Sequence, residues 1–97
     1  MSLEVRWSYT AEITFDAVYD FALNQWGVEI AEKLRAQVLR TLKQISLHPL
    51  SFQESSLKNV RKAVVSTYIS FFHEIFEEHI LLVFFWDNRQ QPFFNQP

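Results

Sequence analysis

The segment Ile80–Trp86, with the sequence ILLVFFW, runs directly into residues 87–92, which read DNRQQP. Seven consecutive apolar residues are too few to cross a membrane, and polar turn-forming residues follow them, so this segment predicts a strand buried on both faces. A charged residue at the exit of a rigid central strand is held in a fixed place, which makes Arg89 the first candidate for a functional residue. The alternative is that Asp87 and Arg89 only solvate the end of the strand.

The length and composition of the chain limit it to one domain with a modest core. Its 97 residues include ten Phe, three Trp and three Tyr, which is more large apolar surface than so small a domain readily buries. We therefore expect one domain over residues 1–97 that presents part of this surface to a partner. The chain has no Cys, which excludes disulfides and thiolate metal sites and favours a cytoplasmic protein. Its N-terminus lacks the layout of a signal peptide, and no apolar run is long enough to span a membrane, so we expect no membrane partner.

The net charge of −2 argues against a protein that binds nucleic acid over a large surface. Such proteins usually carry a strong basic excess, because each phosphate that they neutralise contributes through counterion release. Basic residues are nevertheless concentrated in the C-terminal half, at Lys58, Arg61, Lys62 and Arg89. The sequence is therefore compatible with a basic surface confined to this half of the chain.

Hydrophobic periodicity predicts a strand followed by two helices. Apolar residues alternate with polar ones from Leu3 to Tyr9, which indicates a strand with one face on the core. From residue 11 the spacing changes to three and four, and the apolar stripe of this first helix comprises Phe15, Val18, Tyr19, Ala22, Leu23 and Trp26. Thr10 is the expected N-cap, and Gly27, the only glycine, is expected to end the helix in a left-handed conformation.

A second helix is predicted from Val28 to Leu47, ended by Pro49. Its apolar stripe comprises Ile30, Ala31, Leu34, Val38, Leu42 and Ile45. With only a glycine corner between them, the two helices form an antiparallel hairpin. His48 is expected to help close the second helix, because a partly charged imidazole is favoured at a helix C-terminus.

Three strands are predicted in the remainder of the chain. Residues 50–57 have no period and read as a loop, and strands follow at Val60–Val65, Thr67–Ile75 and Ile80–Trp86. The short polar breaks between these strands allow only antiparallel turns. The predicted architecture is α+β, in the order β-α-α-β-β-β, with a small antiparallel sheet packed against an N-terminal helical hairpin. A tail over residues 93–97 is expected to be mobile unless Phe93 and Phe94 dock.

Common catalytic and metal-binding motifs are missing from the sequence. One glycine and no Cys cannot form a phosphate-binding loop, a nucleophile elbow or a Cys nucleophile. His73 and His79 flank a hairpin, and cross-strand pairing would bring them together. Their spacing specifies no metal geometry, so a solvated turn is the favoured interpretation. We expect neither a metal nor a cofactor.

The basic residues form the remaining candidate site. In a meander the strands of Arg61 and Arg89 both neighbour the strand between them, so the two arginines are placed on one concave face. There they would hold a phosphate through bidentate hydrogen bonds and stabilise charge if a phosphodiester reacted, which makes Arg61 and Arg89 weak catalytic candidates. The alternative is that Arg61 and Lys62 simply keep a strand soluble.

The order of several short motifs resembles the RelE/ParE superfamily of bacterial type II toxins. These motifs are Trp26-Gly27 between the helices, Leu47-His48-Pro49 at the end of the second helix, Val60-Arg61, and the sequence FFWDNRQQP at residues 84–92. The resemblance covers almost the whole chain. It implies a compact microbial RNase-like fold and an antitoxin whose extended segment wraps around the toxin, which agrees with the excess of aromatic surface.

Within that superfamily the resemblance favours the ParE type over the RelE type. RelE-like members cut messenger RNA on the ribosome, whereas this chain has Ile69 where many members carry an arginine and has Phe93 and Phe94 where a C-terminal tyrosine would transfer protons. ParE-like members poison DNA gyrase without being enzymes. We therefore expect a ParE-like toxin that arrests growth or stabilises a plasmid. The alternatives are a RelE-like endoribonuclease and a non-toxic binding remnant of the fold.

Antitoxin and target contacts are expected at the basic residues and the tail, namely Lys58, Arg61, Lys62, Arg89, Gln90, Phe93 and Phe94. Without the antitoxin, the exposed aromatic residues are expected to drive the formation of a homodimer.

Overall fold

The computed structural model describes residues 2–55 and 57–89, apart from the side chain of Gln53. In this part of the chain a helical hairpin packs against one five-stranded sheet of order β1-β5-β4-β3-β2. The elements are β1 (Glu4–Trp7), α1 (Tyr9–Trp26), α2 (Val28–Leu47), a 3-10 turn (Pro49–Ser51), β2 (Gln53–Glu54), β3 (Val60–Val64), β4 (Ile69–Ile75) and β5 (His79–Asp87). The predicted α+β class and the order β-α-α-β-β-β are confirmed, with the two-residue strand β2 added.

The sheet is mixed, and β5 lies in it between β1 and β4. The meander of β3, β4 and β5 is antiparallel as predicted. The first strand differs, because β1 pairs in parallel with β5 and places Val5 opposite Ile80. The two helices between β1 and the meander carry the chain back to the same end of the sheet, and a long crossover of this kind permits parallel pairing.

Strand β2 lies in the segment that the sequence predicts to be a loop. It pairs with β3 and places Gln53 opposite Lys62 and Glu54 opposite Arg61. Two residues are too few to show an alternating pattern, so only pairing with β3 defines this strand. The loop prediction for residues 50–57 was therefore wrong at the 3-10 turn and at β2.

Helix α1 is capped by Ser8, two residues before the predicted cap. The Ala11 amide donates a hydrogen bond to Ser8 Oγ at 2.9 Å, which is the bond that defines an N-cap. The Ser8 hydroxyl itself donates to the Val83 carbonyl at 2.9 Å, so the same side chain joins the helix to the sheet. The predictions that Thr10 is the cap and that Tyr9 belongs to the strand were therefore wrong, because Ser8 accepts the capping hydrogen bond and Tyr9 is the first residue of the helix.

Gly27 forms the corner between the helices, as predicted. Its φ of 93° is open to glycine and strained for other residues, and its ψ of 171° is extended rather than that of a left-handed helical residue. Helix α2 starts at the next residue and ends at Leu47, where the His48 amide donates to the Gln44 carbonyl at 2.8 Å.

The core lies between the helical hairpin and one face of the sheet. On this face β5 contributes Ile80, Leu82 and Phe85, all of them buried. Alternate residues on the opposite face of β5 are only half-buried. The strand was predicted to be buried on both faces, and it is fully buried on one. A bulge at Val83 lets Phe84 pair with Phe72 while Leu82 pairs with His73.

Three residues of the predicted apolar stripes lie outside the core. Leu23 and Trp26 of α1 and Ile30 of α2, which flank the Gly27 corner, are exposed. The remaining stripe residues of both helices pack in or against the core.

Candidate functional site

The turn after β5 fixes the backbone that carries Arg89. The Asn88 amide donates to the Tyr68 carbonyl at 2.9 Å, and the Asn88 side chain donates to the Ser66 carbonyl at 2.9 Å. The Arg89 amide donates to Asp87 Oδ1 at 2.9 Å. These bonds join the exit of β5 to the segment that precedes β4, so Arg89 has a defined position.

The guanidinium group of Arg89 is held by a carboxylate and two aromatic rings. Arg89 Nε lies 2.9 Å from Asp87 Oδ1, and Nη2 lies 2.5 Å from Oδ2. The hydrogen bonds from Arg89 lower the pKa of Asp87, and the same bonds raise the pKa of Arg89. The carbon Cζ of Arg89 lies 4.3 Å from the ring centroid of Phe21 and 5.4 Å from that of Trp26. Arg89 is therefore a neutralised, stacked cation.

These residues form an exposed cluster, which we call the Arg89 cluster: Phe21, Trp26, Tyr68, Asp87 and Arg89. The Trp26 ring lies 5.1 Å from Tyr68 and 5.8 Å from Phe21. The three aromatic residues are 40%, 41% and 47% exposed for Phe21, Trp26 and Tyr68 respectively. Exposed aromatic side chains around an arginine have the composition of binding hot spots.

An open groove of about 440 Å³ adjoins the Arg89 cluster. Ala17, Val18 and Phe21 of α1 form one wall, and Asp87 and Arg89 form the other. The groove is thus apolar along the helix and charged at the end of β5.

Sequence reasoning identified Arg89 but missed its aromatic neighbours and the role of Asp87. Phe21 lies outside the apolar stripe that predicts the core face of α1, and an aromatic residue off that stripe is the signal that could have identified it. Trp26 gave no such signal because its spacing fits the stripe. Tyr68 is positioned by the turn before β4, which periodicity does not describe.

Arg61 lies at the other end of the sheet and has different partners. It is opposite His73 in the register, and its Nη1 donates to the Phe52 carbonyl at 2.8 Å. Its Nη2 lies 3.8 Å from Glu54 Oε1, and its side chain is 24% exposed. Arg61 therefore joins β2 and the chain before it to β3, which is a structural role.

The predicted basic site is divided among three places. Lys58 and Arg61 line a groove of about 640 Å³ near the start of β3, whereas Lys62 lies on the opposite face, with Nζ 5.9 Å from the centroid of Phe72. Arg89 follows the other end of β5. Gln90, Phe93 and Phe94 lie outside the described residues.

The structure does not bring Arg61 and Arg89 together on the predicted concave face. In the β4 register, Arg61 is opposite His73, while the Asp87 that precedes Arg89 is opposite Ile69. Four residues along a strand correspond to about 13 Å. The strands β3 and β5 both neighbour β4 as predicted, but the register places Arg61 and Arg89 at different positions along the strands.

His73 is enclosed beneath the Arg61 end of the sheet. It is completely buried, and neither ring nitrogen has a hydrogen-bond partner among the described residues. Burial, together with the nearby Arg61 cation, lowers the pKa of His73 to about 4. The Phe52 ring lies 6.1 Å from the imidazole and the Phe71 ring 5.5 Å from it.

The structure does not bring His73 and His79 together. His73 is opposite Leu82, whereas His79 starts β5 and stacks on Phe76 at 4.7 Å. Within residues 2–55 and 57–89, no group of three His, Asp or Glu side chains is placed to hold a metal ion.

The fold is similar to that of solved bacterial toxin structures. A chain of the chromosomal ParDE toxin–antitoxin system from P. aeruginosa matches with a TM-score of 0.77 and 18% sequence identity, over 89% of this chain and 96% of that one. The chain has the fold of the RelE/ParE toxins. A second structure with this fold, the YoeB dimer from Staphylococcus aureus, matches with a TM-score of 0.59 and 14% identity, over 87% of this chain and 94% of that one.

Among the comparisons with known proteins, those of structure find this likeness and those of sequence do not. No protein-family model matches the sequence, and the comparison with curated proteins finds no match. In the described part of the chain, neither helix is long and apolar enough to cross a membrane.

Proposed function

We propose that this chain is the toxin of a bacterial type II toxin–antitoxin pair, neutralised by a cognate antitoxin in the cytoplasm. The observation that carries this proposal is the likeness to a chain of a ParDE system over nearly the full length of both chains. The order of sequence motifs supports the proposal independently, since from Trp26-Gly27 to Pro92 it resembles the RelE/ParE superfamily.

The toxin acts in a ParE-like manner, by binding DNA gyrase rather than by cutting RNA. Phosphodiester cleavage requires charged groups that converge on one phosphate. In this chain Arg61 and Arg89 lie near opposite ends of the sheet, and each already contacts a carboxylate, that of Glu54 or Asp87. The buried His73, whose pKa is lowered to about 4, is enclosed away from solvent. This arrangement supports recognition of a macromolecule over acid–base catalysis.

The Arg89 cluster is the main contact surface for the target. Its aromatic rings contact one another and the Arg89 guanidinium, which two hydrogen bonds to Asp87 hold in place. Little conformational entropy is therefore lost when a partner covers them. Gln90, Phe93 and Phe94, which follow Arg89 in the sequence, are further candidates for contact with the target. Lys58 and Arg61, which line the second groove, and Lys62 on the opposite face are separate secondary candidates for contact with a partner.

A supercoiling assay tests the gyrase target. Purified chain added to gyrase and relaxed or supercoiled DNA is expected to lower supercoiling and to accumulate stalled cleavage complexes. Arg89→Ala is expected to weaken this effect at least tenfold, because it removes the side chain that orders Phe21 and Trp26. Arg40→Ala, an exposed arginine of α2, is the matched control and is expected to behave like the wild type. Full supercoiling activity at excess chain would exclude the gyrase target.

Two other outcomes distinguish the alternatives. Cleavage of messenger RNA in the ribosomal A site, detected by toeprinting and lost on Arg61→Ala or Arg89→Ala, would identify a RelE-like endoribonuclease instead. Normal growth when the chain is expressed without an antitoxin would identify a binding module that has lost toxicity. Growth arrest together with stalled gyrase complexes is the result that we expect.

The antitoxin is expected to be encoded beside this chain. A pull-down with the product of the neighbouring reading frame is expected to recover a stable complex. Without the antitoxin, light scattering is expected to detect a homodimer, because Tyr9, Ile13 and Leu39 add to the exposed apolar surface. A chain that stays monomeric and does not bind the neighbouring product would contradict both the antitoxin and the homodimer.

A further inference from the structure

The sheet has a second face, which lies away from both helices. The helices pack on the face that carries Phe85, and we call the opposite one the outer face. There β4 and β5 carry three aromatic side chains, which we call the aromatic row. Phe72 stacks on Phe84 with 4.6 Å between their ring centroids, and Phe84 lies edge to face with Trp86 at 6.4 Å. The outer face is therefore apolar along the two inner strands of the sheet.

Two residues of the outer face are completely buried. Phe72 and Ser70 are both 0% exposed, yet Phe72 is not part of the hydrophobic cluster between the helices and the sheet. In the register, Phe72 has Lys62 on one side and Phe84 on the other. Side chains stand roughly perpendicular to a sheet, so neighbours of this kind cover the flanks of a ring and leave its tip open. Burial of the whole ring requires a further group above it.

The group that covers Phe72 belongs to the same chain, because these exposed fractions are those of a single molecule. Within residues 2–55 and 57–89, both helices pack on the other face, and Val64, which is opposite Ser70 on β3, is itself 55% exposed. Outside those ranges the chain has only Met1, Ser56 and the segment 90–97, which reads QQPFFNQP. Of these, the segment 90–97 is the one that has large apolar side chains next to each other.

The position and length of the segment 90–97 suit this role. The aromatic row starts at Trp86, near the end of β5, and Phe84 lies two residues back along the strand, which is about 7 Å. Eight extended residues span up to about 27 Å, which is enough for a reversal of direction and a pass along the row. Pro92 is a residue type that favours such a turn, and Phe93-Phe94 follows it in the sequence.

We propose that the segment 90–97 folds back over the outer face and packs Phe93 and Phe94 against the aromatic row. This inference goes beyond the proposed function and does not depend on it. It gives the two phenylalanines a role within the chain, in place of the target contact for which they are also candidates. An aromatic row beside Lys62 is a surface on which the bases of a single-stranded nucleic acid stack, and the folded-back segment closes that surface.

Fluorescence quenching tests whether the two phenylalanines cover the row. The double variant Phe93→Ser/Phe94→Ser is expected to increase acrylamide quenching of the Trp86 signal at least twofold, because removal of both rings opens the row to solvent. Subtracting the same measurement in a Trp86→Phe background isolates that signal. Gln91→Ser/Gln96→Ser is the matched control, since it changes two polar residues of the same segment and is expected to leave quenching unchanged. Urea unfolding shows whether each variant remains folded.

A spin label locates the segment while both phenylalanines are kept. The chain has no Cys, so Asn95→Cys provides a single site for a nitroxide. The label is expected to broaden the amide signals of residues 70–72 and 84–86 in nuclear magnetic resonance spectra. The same label at Lys43→Cys, on the exposed side of α2, is expected to leave those signals sharp.

Three results would overturn the inference. The first is equal quenching of Trp86 in the double variant and the control, which would show that the two phenylalanines do not cover the row. The second is the absence of broadening in residues 70–72 and 84–86 with the label at position 95. The third is broadening that requires a second molecule, detected by mixing the nitroxide-labelled chain with an isotope-labelled chain that has no nitroxide, because the segment would then cover another copy.

Discussion

The two conspicuous arginines of this sheet are held in opposite ways. Arg89 lies on the surface after β5, paired with an acid two residues away and stacked on Phe21. Arg61 lies within β3 near the other end, and it donates to the carbonyl of Phe52 from the segment that leads into β2. The first arrangement orders a surface, and the second joins two parts of the chain.

The difference shows that the neighbours of an arginine decide its role more than its charge does. Arg89 has exposed aromatic rings around it and a groove beside it, so a partner can contact this ordered side chain directly. Arg61 has the completely buried His73 opposite it, so a change there reaches the interior. Variants at the Arg61 end should therefore change stability, and variants at the Arg89 end should change binding.

The largest stability effect is expected from the protonation of His73. Its pKa is about 4 in the folded chain and 6.5 when unperturbed, so between these values the unfolded chain binds more protons. The free energy of unfolding from this group is then fully present above about pH 6.5 and is lost as the pH falls through about 4. The difference corresponds to about 3 kcal/mol. Urea unfolding at pH 7.5 and pH 4 measures it.

The variant His73→Leu supplies the comparison. It removes two buried nitrogens without partners among the described residues, so its stability at pH 7.5 is expected to equal or exceed that of the wild type. Its stability should also depend less on pH, whereas His79→Leu should keep the slope of the wild type. An unchanged slope in His73→Leu would place the pH dependence on other groups.

An intermediate effect is expected at Thr14, which joins the middle of the sheet to helix α1. Thr14→Val leaves the Phe85 amide without its acceptor in a residue that is only 2% exposed, which should cost about 2 kcal/mol. Thr14→Ser keeps the hydroxyl and should cost much less. Thermal unfolding compares the two, and hydrogen exchange should accelerate at Phe85 only in the valine variant. Equal stabilities would show that water replaces the threonine hydroxyl.

The elements of the fold could be predicted because they leave periodic patterns in the sequence. Helix α2 was predicted at its observed ends, since its apolar spacing, the preceding Gly27 and the following Pro49 all act locally. The meander followed from short polar breaks between apolar runs. Strand β2 could not be found in this way, because its two residues become a strand only through pairing with β3.

The candidate site was predicted less well because it depends on register. The bulge at Val83 and the turn before Ile69 set the register of neighbouring strands, and neither feature leaves a periodic pattern in the sequence. Arg61 and Arg89 were therefore placed on the right strands and wrongly brought together. The aromatic partners of Arg89 come from α1 and from Tyr68, which are distant in sequence from Arg89.

A smaller effect is expected from Arg61→Ala. The substitution removes the hydrogen bond to the Phe52 carbonyl from a side chain that is 24% exposed, which should cost about 1 kcal/mol. Amide exchange should accelerate in residues 52–55 and remain unchanged in residues 85–88. Arg61→Lys is the matched control, since it keeps the charge but lacks the planar fork. Faster exchange at both ends of the sheet would contradict the separation of the two regions.

The smallest stability effect is expected from Arg89→Ala. The side chain is exposed, and its ion pair with Asp87 lies at the surface, where water and salt screen it. The midpoint of urea unfolding should therefore stay within error of the wild type, while the fluorescence of Trp26 changes because the cation leaves its ring. Subtracting the spectra of matched Trp26→Phe variants isolates that signal from Trp7 and Trp86. A loss of stability as large as that of Arg61→Ala would mean that Arg89 also holds the fold together, and the contrast between the two arginines would then have to be abandoned.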